Sequence, residues 1–163
     1  MSKVAIYPGS FDPFTLGHKD IIDRALPLFD KIFVCISESS RKSYLFSLEE
    51  RQSLIKECLP YKSVEVVTNP GLTAHVAKDL NATYVIRGIR TYMDMEYEKS
   101  MDVMNRNLNH QLETIFFFAA SHLSSVSSSL VKEVASLGGD ISSFVPENIL
   151  KATLEKVRSY ETQ

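Results

Sequence analysis

With 163 residues, 44% of them hydrophobic and 23% charged, the chain has the makeup of one globular domain with its own core, taken as residues 1–163. A net charge of −2 argues against a nucleic-acid binder held by many phosphate contacts, which needs a basic excess. Cys35 and Cys58, the two cysteines, lack a CxxC spacing and so support neither a disulfide framework nor a structural zinc site.

The first residues turn polar at Ser10 and Asp12, too early for a signal peptide, and no apolar run approaches the roughly 20 residues that span a bilayer. A cytoplasmic protein without membrane or nucleic-acid partners is expected. Strand patterns fall at Val4–Tyr7, Ile32–Ile36, Val64–Val67, Tyr84–Ile86 and Ile115–Phe118. These are continuous apolar runs, as in a parallel sheet covered on both faces.

Helical patterns lie between them. The first opens near Gly17, carries Ile21, Ile22, Ala25 and Phe29 on one stripe, and is kinked or ended by Pro27. The second starts at the capping box Ser47-Leu48-Glu49-Glu50, with Leu48, Ile55 and Leu59 facing inward. A third covers Leu72–Leu80, and a fourth runs from Tyr92 past Met104. On the fourth, Met93, Tyr97, Met101, Met104 and Leu108 fall at helical spacing, which suits core or subunit-contact packing. A fifth carries Leu130, Val131 and Val134 and stops at Gly138-Gly139, and a last one begins at Pro146.

Strands alternating with helices predict an α/β protein, a single doubly wound Rossmann-like domain with a five-stranded parallel sheet. Ligands of such sheets bind beyond the carboxyl ends of the strands, at the switch point in strand order. Five segments qualify: Pro8–His18, Ser37–Phe46, Asn69–Thr73, Arg87–Thr91 and Ala119–Ser129.

Pro8–His18 combines a strand end, glycines, hydroxyls and a histidine that opens a helix, which together suit a phosphate. Arg41 and Lys42 precede the capped helix within reach of an anion, although alone such a pair is a solvated face. Pro70-Gly71-Leu72-Thr73 reads equally as a turn and helix cap. Arg87-Gly88-Ile89-Arg90 sets two guanidinium forks beside a buried strand, matched to phosphate geometry. Ser127-Ser128-Ser129 offers one cap and two spare hydroxyls that invite a triphosphate. No GxxxxGK[ST] loop, hydrolase triad or metal-ligand spacing occurs.

Thr15-Leu16-Gly17-His18 resembles the signature of the nucleotidyltransferases that use a (T/H)xGH motif. Phe46–Arg51, Ile86–Arg90, Glu96–Glu98, Met104–Arg106 and Ser127–Glu133 are similar to phosphopantetheine adenylyltransferases, and the likeness runs from Val4 to about Val157. That resemblance implies transfer of the adenylyl group of ATP to 4'-phosphopantetheine, giving dephospho-coenzyme A and pyrophosphate. It implies Mg2+ delivered with ATP, no protein-held metal, and a homohexamer. It places Ser10, Phe11 and His18 against ATP, with Gly88, Ile89, Arg90 and Glu98, and then Leu123, Ser124, Ser125, Val126, Ser127, Ser128 and Ser129. Ser10, Lys42, Thr73 and Arg87 fall where the family holds phosphopantetheine. Serine at Ser10 keeps the hydroxyl of the family's frequent threonine, whereas Gly71 stands where some relatives have a carboxylate and Leu123 where one relative has a tryptophan.

A phosphate monoester is already anionic at neutral pH and needs no general base. Catalysis is then positioning and charge neutralisation. His18, Lys42 and Arg90 are the expected catalytic residues, in a direct in-line displacement. The rivals are nicotinate mononucleotide or cytidylyl transfer to a sugar or alcohol phosphate, and a non-catalytic nucleotide sensor.

Overall fold

Apolar runs rich in β-branched and aromatic residues form five strands: β1 (Val4–Gly9), β2 (Lys31–Ser37), β3 (Val64–Asn69), β4 (Tyr84–Ile89) and β5 (Glu113–Phe118). The structure, a computed structural model, describes residues 2–40, 42–69 and 71–161, so the expectations on Arg41 and Pro70 lie outside the described residues. All pairings are parallel and the order is β3-β2-β1-β4-β5. The sheet is therefore the doubly wound one expected, with its switch point between β1 and β4. Every expected strand lies inside an observed one. The carboxyl ends run further than expected, so Pro8-Gly9 and Arg87-Gly88-Ile89 are strand rather than loop. Their polar or conformationally awkward residues hide the strand in a hydropathy pattern.

β1 and β2 pair over their whole length, from Val4↔Lys31 to Gly9↔Ile36. β1 and β4 pair only at Ala5↔Tyr84 and Ile6↔Val85. Beyond that point the central strands part, which opens a crevice at their carboxyl ends.

Among the described residues six α-helices cover the sheet: α1 (Leu16–Ala25), α2 (Leu48–Cys58), α3 (Thr73–Asp79), α4 (Tyr92–Leu108), α5 (Ser128–Ser136) and α6 (Glu147–Glu161). Strand alternation divides the core. Ala5, Tyr7, Val34 and Ile36 face a cluster containing Ile22, Ile55, Val131 and Ile149 of α1, α2, α5 and α6. Ile6, Cys35 and Val85 face Ala74 and Ala77 of α3 and Leu112. Pro27 ends α1, which gives way to a 3-10 turn over Leu26–Leu28, and Phe29 is buried beyond the helix. Gly138 stops α5 with φ of 76°, a left-handed position that glycine takes at little cost.

Packing departs from the expectation on α2 and narrows it on α5 and α4. Leu48 of α2 is half-buried, and Leu130 of α5 is exposed, because α5 turns Val131 inward instead. On α4, Met93 is 81% exposed, Tyr97 63% and Met104 58%, so this stripe is not core. Burial there goes to Glu98 and Asn105, on the side of the helix turned towards the sheet. Both cysteines are free and buried. No helix of the described residues is long and apolar enough to cross a membrane.

Candidate active site

The crevice between β1 and β4 widens into a cavity of about 630 Å³ lined by Ser10, His18, Lys42, Arg87, Arg90 and Ser127–Ser129 among others. Ser10 follows the end of β1, the first turn of α1 delivers His18, Arg87 lies on β4 and Arg90 directly follows it. Gly88 permits the close approach of β4 to α1: a Cβ there would meet Cδ1 of Ile21 at 2.4 Å.

His18 is fixed by the way its helix starts. Thr15 caps α1 and its hydroxyl accepts from the His18 amide at 3.3 Å. In return the backbone N–H of Thr15 donates to Nδ1 of His18 at 3.0 Å. Histidine thus takes the place of the usual glutamate or glutamine in a capping box. Because Nδ1 accepts, the proton of the neutral ring sits on Nε2. Burial, aided by the charges of Arg90 and Arg87, pushes the His18 pKa down to about 3. The ring is therefore a neutral donor. Phe11, held at φ of 49°, sets its ring edge-on to the imidazole at 5.0 Å, and Tyr7 packs near both. Burial raises the Tyr7 phenol and keeps it neutral, although Arg87 and Arg90 pull the other way.

Each charge on the β4 side has a partner. Arg87 donates from Nε to Oε2 of Glu98 at 2.7 Å, from Nη2 to Oε1 of Glu98, and from Nη1 to the Pro8 carbonyl at 2.7 Å. Burial opposes its charge, but the hydrogen bonds and charge of Glu98 outweigh that and hold its pKa above the ordinary value. Arg90 reaches the Val126 carbonyl at 3.2 Å and Oδ2 of Asp94 at 3.4 Å. Asp94 also closes the capping box of α4 with Thr91.

On the α5 side, Ser127 caps the helix by accepting from the Leu130 amide at 3.1 Å. The Ser128 hydroxyl donates to the Pro13 carbonyl at 2.7 Å, tying α5 to the loop after β1. One of the two hydroxyls expected to be spare is thus engaged. Lys132, a turn further on, donates to Oδ2 of Asp12 at 2.8 Å and lines the same cavity. Opposite, Lys42 projects from the loop between β2 and α2 with Ser43 and Tyr44 beside it in the wall.

A Cytidylyltransferase-like family model matches residues 6–134 of this chain. The chain is 45% identical over 159 residues to phosphopantetheine adenylyltransferase of Bdellovibrio bacteriovorus, covering 97% of this chain and 99% of that one. It is 48% identical over 151 residues to phosphopantetheine adenylyltransferase of Alkaliphilus oremlandii, covering 92% and 96%. The chain belongs to the phosphopantetheine adenylyltransferase family. Its fold is also that of the Plasmodium falciparum nicotinic acid mononucleotide adenylyltransferase, with a TM-score of 0.67, 17% identity and coverage of 99% and 96%. At that identity the likeness is one of fold alone.

Of the positions carried over from the adenylyltransferase family, Ser10, Phe11, His18, Lys42, Arg87, Gly88, Arg90, Leu123, Val126 and Ser127–Ser129 line one cavity. Glu98 also lines it, with its carboxylate turned to Arg87. Three expected nucleotide contacts lie elsewhere. Ile89 is buried within β4, while Ser124 and Ser125 are outside the lining and the Ser124 hydroxyl donates to the Ser121 carbonyl. Thr73 opens α3 and lines a smaller cavity of about 70 Å³, which shares Pro8, Arg87 and Glu98 with the large one. Sequence reasoning missed Asp12, Asp94 and Lys132 in the wall. Asp94 had a signal, since Thr91-x-x-Asp94 at a helix start has the spacing of a capping box. Asp12 and Lys132 are 120 residues apart, and no local pattern joins them.

Proposed function

We propose that this chain transfers the adenylyl group of ATP to the phosphate of 4'-phosphopantetheine, releasing pyrophosphate and dephospho-coenzyme A. The observation that carries it is the imidazole of His18, oriented by the Thr15 amide on Nδ1, in one cavity with Lys42, Arg90 and Ser127–Ser129. An oriented donor in a cavity with cations suits an anion attacking an anion.

In the reaction an oxygen of the acceptor phosphate attacks the α-phosphorus of ATP. That P–O bond forms as the bond to the β-phosphate oxygen breaks, and pyrophosphate leaves in line. No enzyme-bound intermediate forms. His18 and Ser10 hold the α-phosphate, and Lys42 bridges it to the attacking phosphate. Arg90 and the α5 start receive the β- and γ-phosphates. Arg87, steadied by Glu98, faces the acceptor, and its second cavity gives Thr73 access to the same molecule. Glu98 then serves ATP through the cavity wall rather than through a free carboxylate.

Mg2+ enters with the nucleotide as its counter-ion. The carboxylates in the wall support this: Asp12, Asp94 and Glu98 already face Lys132, Arg90 and Arg87. The exposed apolar stripe of α4 is the contact of a homohexamer. Two free, buried thiols suit the reducing cytoplasm.

Pyrophosphate release with ATP and a panel of acceptors tests the assignment. Phosphopantetheine is expected to support it, and nicotinate mononucleotide and sugar phosphates with CTP are not. Release with one of those acceptors in place of phosphopantetheine overturns it. Nucleotide binding without any release points to a sensor.

A further inference from the structure

Arg51 is the largest side chain in the interior, 1% exposed, and no role above uses it. It sits near the start of α2, four residues after the N-cap Ser47 and directly after Glu50 of the capping box. Nothing about packing requires a guanidinium there, and a buried charge is expensive unless its donors are satisfied. Here they are satisfied by backbone that belongs to the site. Nη1 donates to the Ser10 carbonyl at 2.9 Å and to the Ser37 carbonyl at 3.4 Å. Nε donates to the carbonyls of Phe46 at 3.2 Å and Ser47 at 3.3 Å. Nη2 donates to Oε1 of Glu38, and the guanidinium stacks on the ring of Tyr44 at 4.4 Å.

These partners define a closed figure. Ser37 and Glu38 begin the loop that carries Lys42, and Phe46 and Ser47 end it. Asp12, 3% exposed, accepts from the amides of Leu45 and Phe46, each at 2.9 Å, and so pins the same end to the loop after β1. Across the middle, the Ser39 amide donates to the phenol oxygen of Tyr44 at 2.7 Å, and the Lys42 amide to the Ser39 carbonyl at 3.1 Å. Ser10, the remaining partner, directly follows β1 and lines the cavity.

We propose that Arg51 is a positioning residue for the transfer: one guanidinium holds both limbs of the Lys42 loop in register with Ser10. It sets the acceptor-side cation against the α-phosphate site without touching either substrate. The inference rests on the acceptor-side role given to Lys42 above. Lysine cannot replace it, because one ammonium cannot span carbonyls on both limbs.

The test compares Arg51→Lys and Glu38→Gln with the unaltered protein. KM for phosphopantetheine is read from pyrophosphate release, the Kd for ATP from calorimetry, and the Tm from melting. Arg51→Lys is expected to raise the phosphopantetheine KM at least about tenfold while the ATP Kd moves less than about threefold, since a displaced positioning group acts on one substrate's geometry. Glu38→Gln removes the charge of the partner at the exposed edge, keeps an acceptor there and leaves the buried carbonyl bonds, so a rise of about threefold in the same KM is expected. A lower Tm with unchanged KM values in both variants overturns the proposal, as does equal loss of both substrates. If Arg51→Lys does not fold, an unaltered phosphopantetheine KM in Glu38→Gln overturns it alone. Unaltered protein that releases no pyrophosphate with phosphopantetheine refutes the assigned reaction instead, which keeps the two failures apart.

Discussion

Neutrality at His18 arises from burial, from two nearby guanidinium groups and from an amide that occupies Nδ1. His18→Ala removes the Nε2 donor, and turnover is expected to fall by about 100-fold or more, as when an oxyanion donor is lost. A fall below about threefold in steady-state assays would mean that the ring does not meet the reacting phosphate. The same ring makes stability depend on pH. Its pKa is about 3 in the folded chain against an ordinary 6.5, so above pH 6.5 it is neutral in both states and its contribution is complete. As pH falls from 6.5 towards 3 the unfolded chain takes up a proton that the folded chain refuses, and stability drops. Urea titrations at pH 6.5 and 5 are expected to narrow the gap between the unaltered protein and His18→Ala by about 1–2 kcal/mol. Parallel curves would show a ring that titrates normally. Arg90→Ala is expected to weaken ATP and slow the reverse reaction with pyrophosphate. Arg90→Lys restores only part, since lysine keeps the charge and loses the fork that reaches Val126 and Asp94 together. Loss of phosphopantetheine affinity with normal pyrophosphate kinetics would exchange the roles of Arg87 and Arg90.

Helix starts were unequally legible. Ser47-x-x-Glu50 announces its capping box by residue type, and both halves of the box form. Thr15-x-x-His18 forms an equivalent box with a residue that propensity rules do not place there, because the ring does capping and site work at once. On α4 the pattern of methionines and aromatics was plain, but a helical stripe reads alike whether the protein's own sheet or another copy covers it. Structure separates the two: the stripe faces outward, and Glu98 and Asn105 face in. Replacing Met93 and Met104 with aspartate is therefore expected to lower the mass of the assembly in light scattering, with helix content unchanged. An unaltered mass would leave the stripe without a part in assembly.

At the scale of the whole molecule, the doubly wound parallel sheet could be drawn from the alternation of elements, and with it the edge where ligands bind, while the strand order came from the structure. What could not be drawn was which distant residues meet there. Asp12 with Lys132, and Arg51 with the two limbs of the Lys42 loop, are joined by tertiary approach, and each looks like an ordinary surface charge in sequence. Ser124 and Ser125 show the converse: neighbours of cavity residues in the chain, they stand outside the wall.

Lys42, Arg87, Arg90 and Lys132 face the cavity together with Asp12, Asp94 and Glu98, four cations against three carboxylates with the histidine neutral. Three of these cations already hold carboxylates when a polyphosphate arrives: Arg87 with Glu98, Arg90 with Asp94 and Lys132 with Asp12. The polyphosphate must exchange into ion pairs that already exist, and a simple monovalent anion gains too little to do so. Selectivity for polyanions is thus built in before any base or sugar is read. One consequence is a muted response to ionic strength, since paired charges project a weaker field than free ones. Between roughly 0.05 and 0.5 M salt, ATP affinity is expected to change less than about threefold. Asp94→Asn strips Arg90 of its internal counter-ion and is expected to steepen that dependence. Equal slopes for the two proteins, measured by calorimetry, would mean that the carboxylate does not screen the arginine.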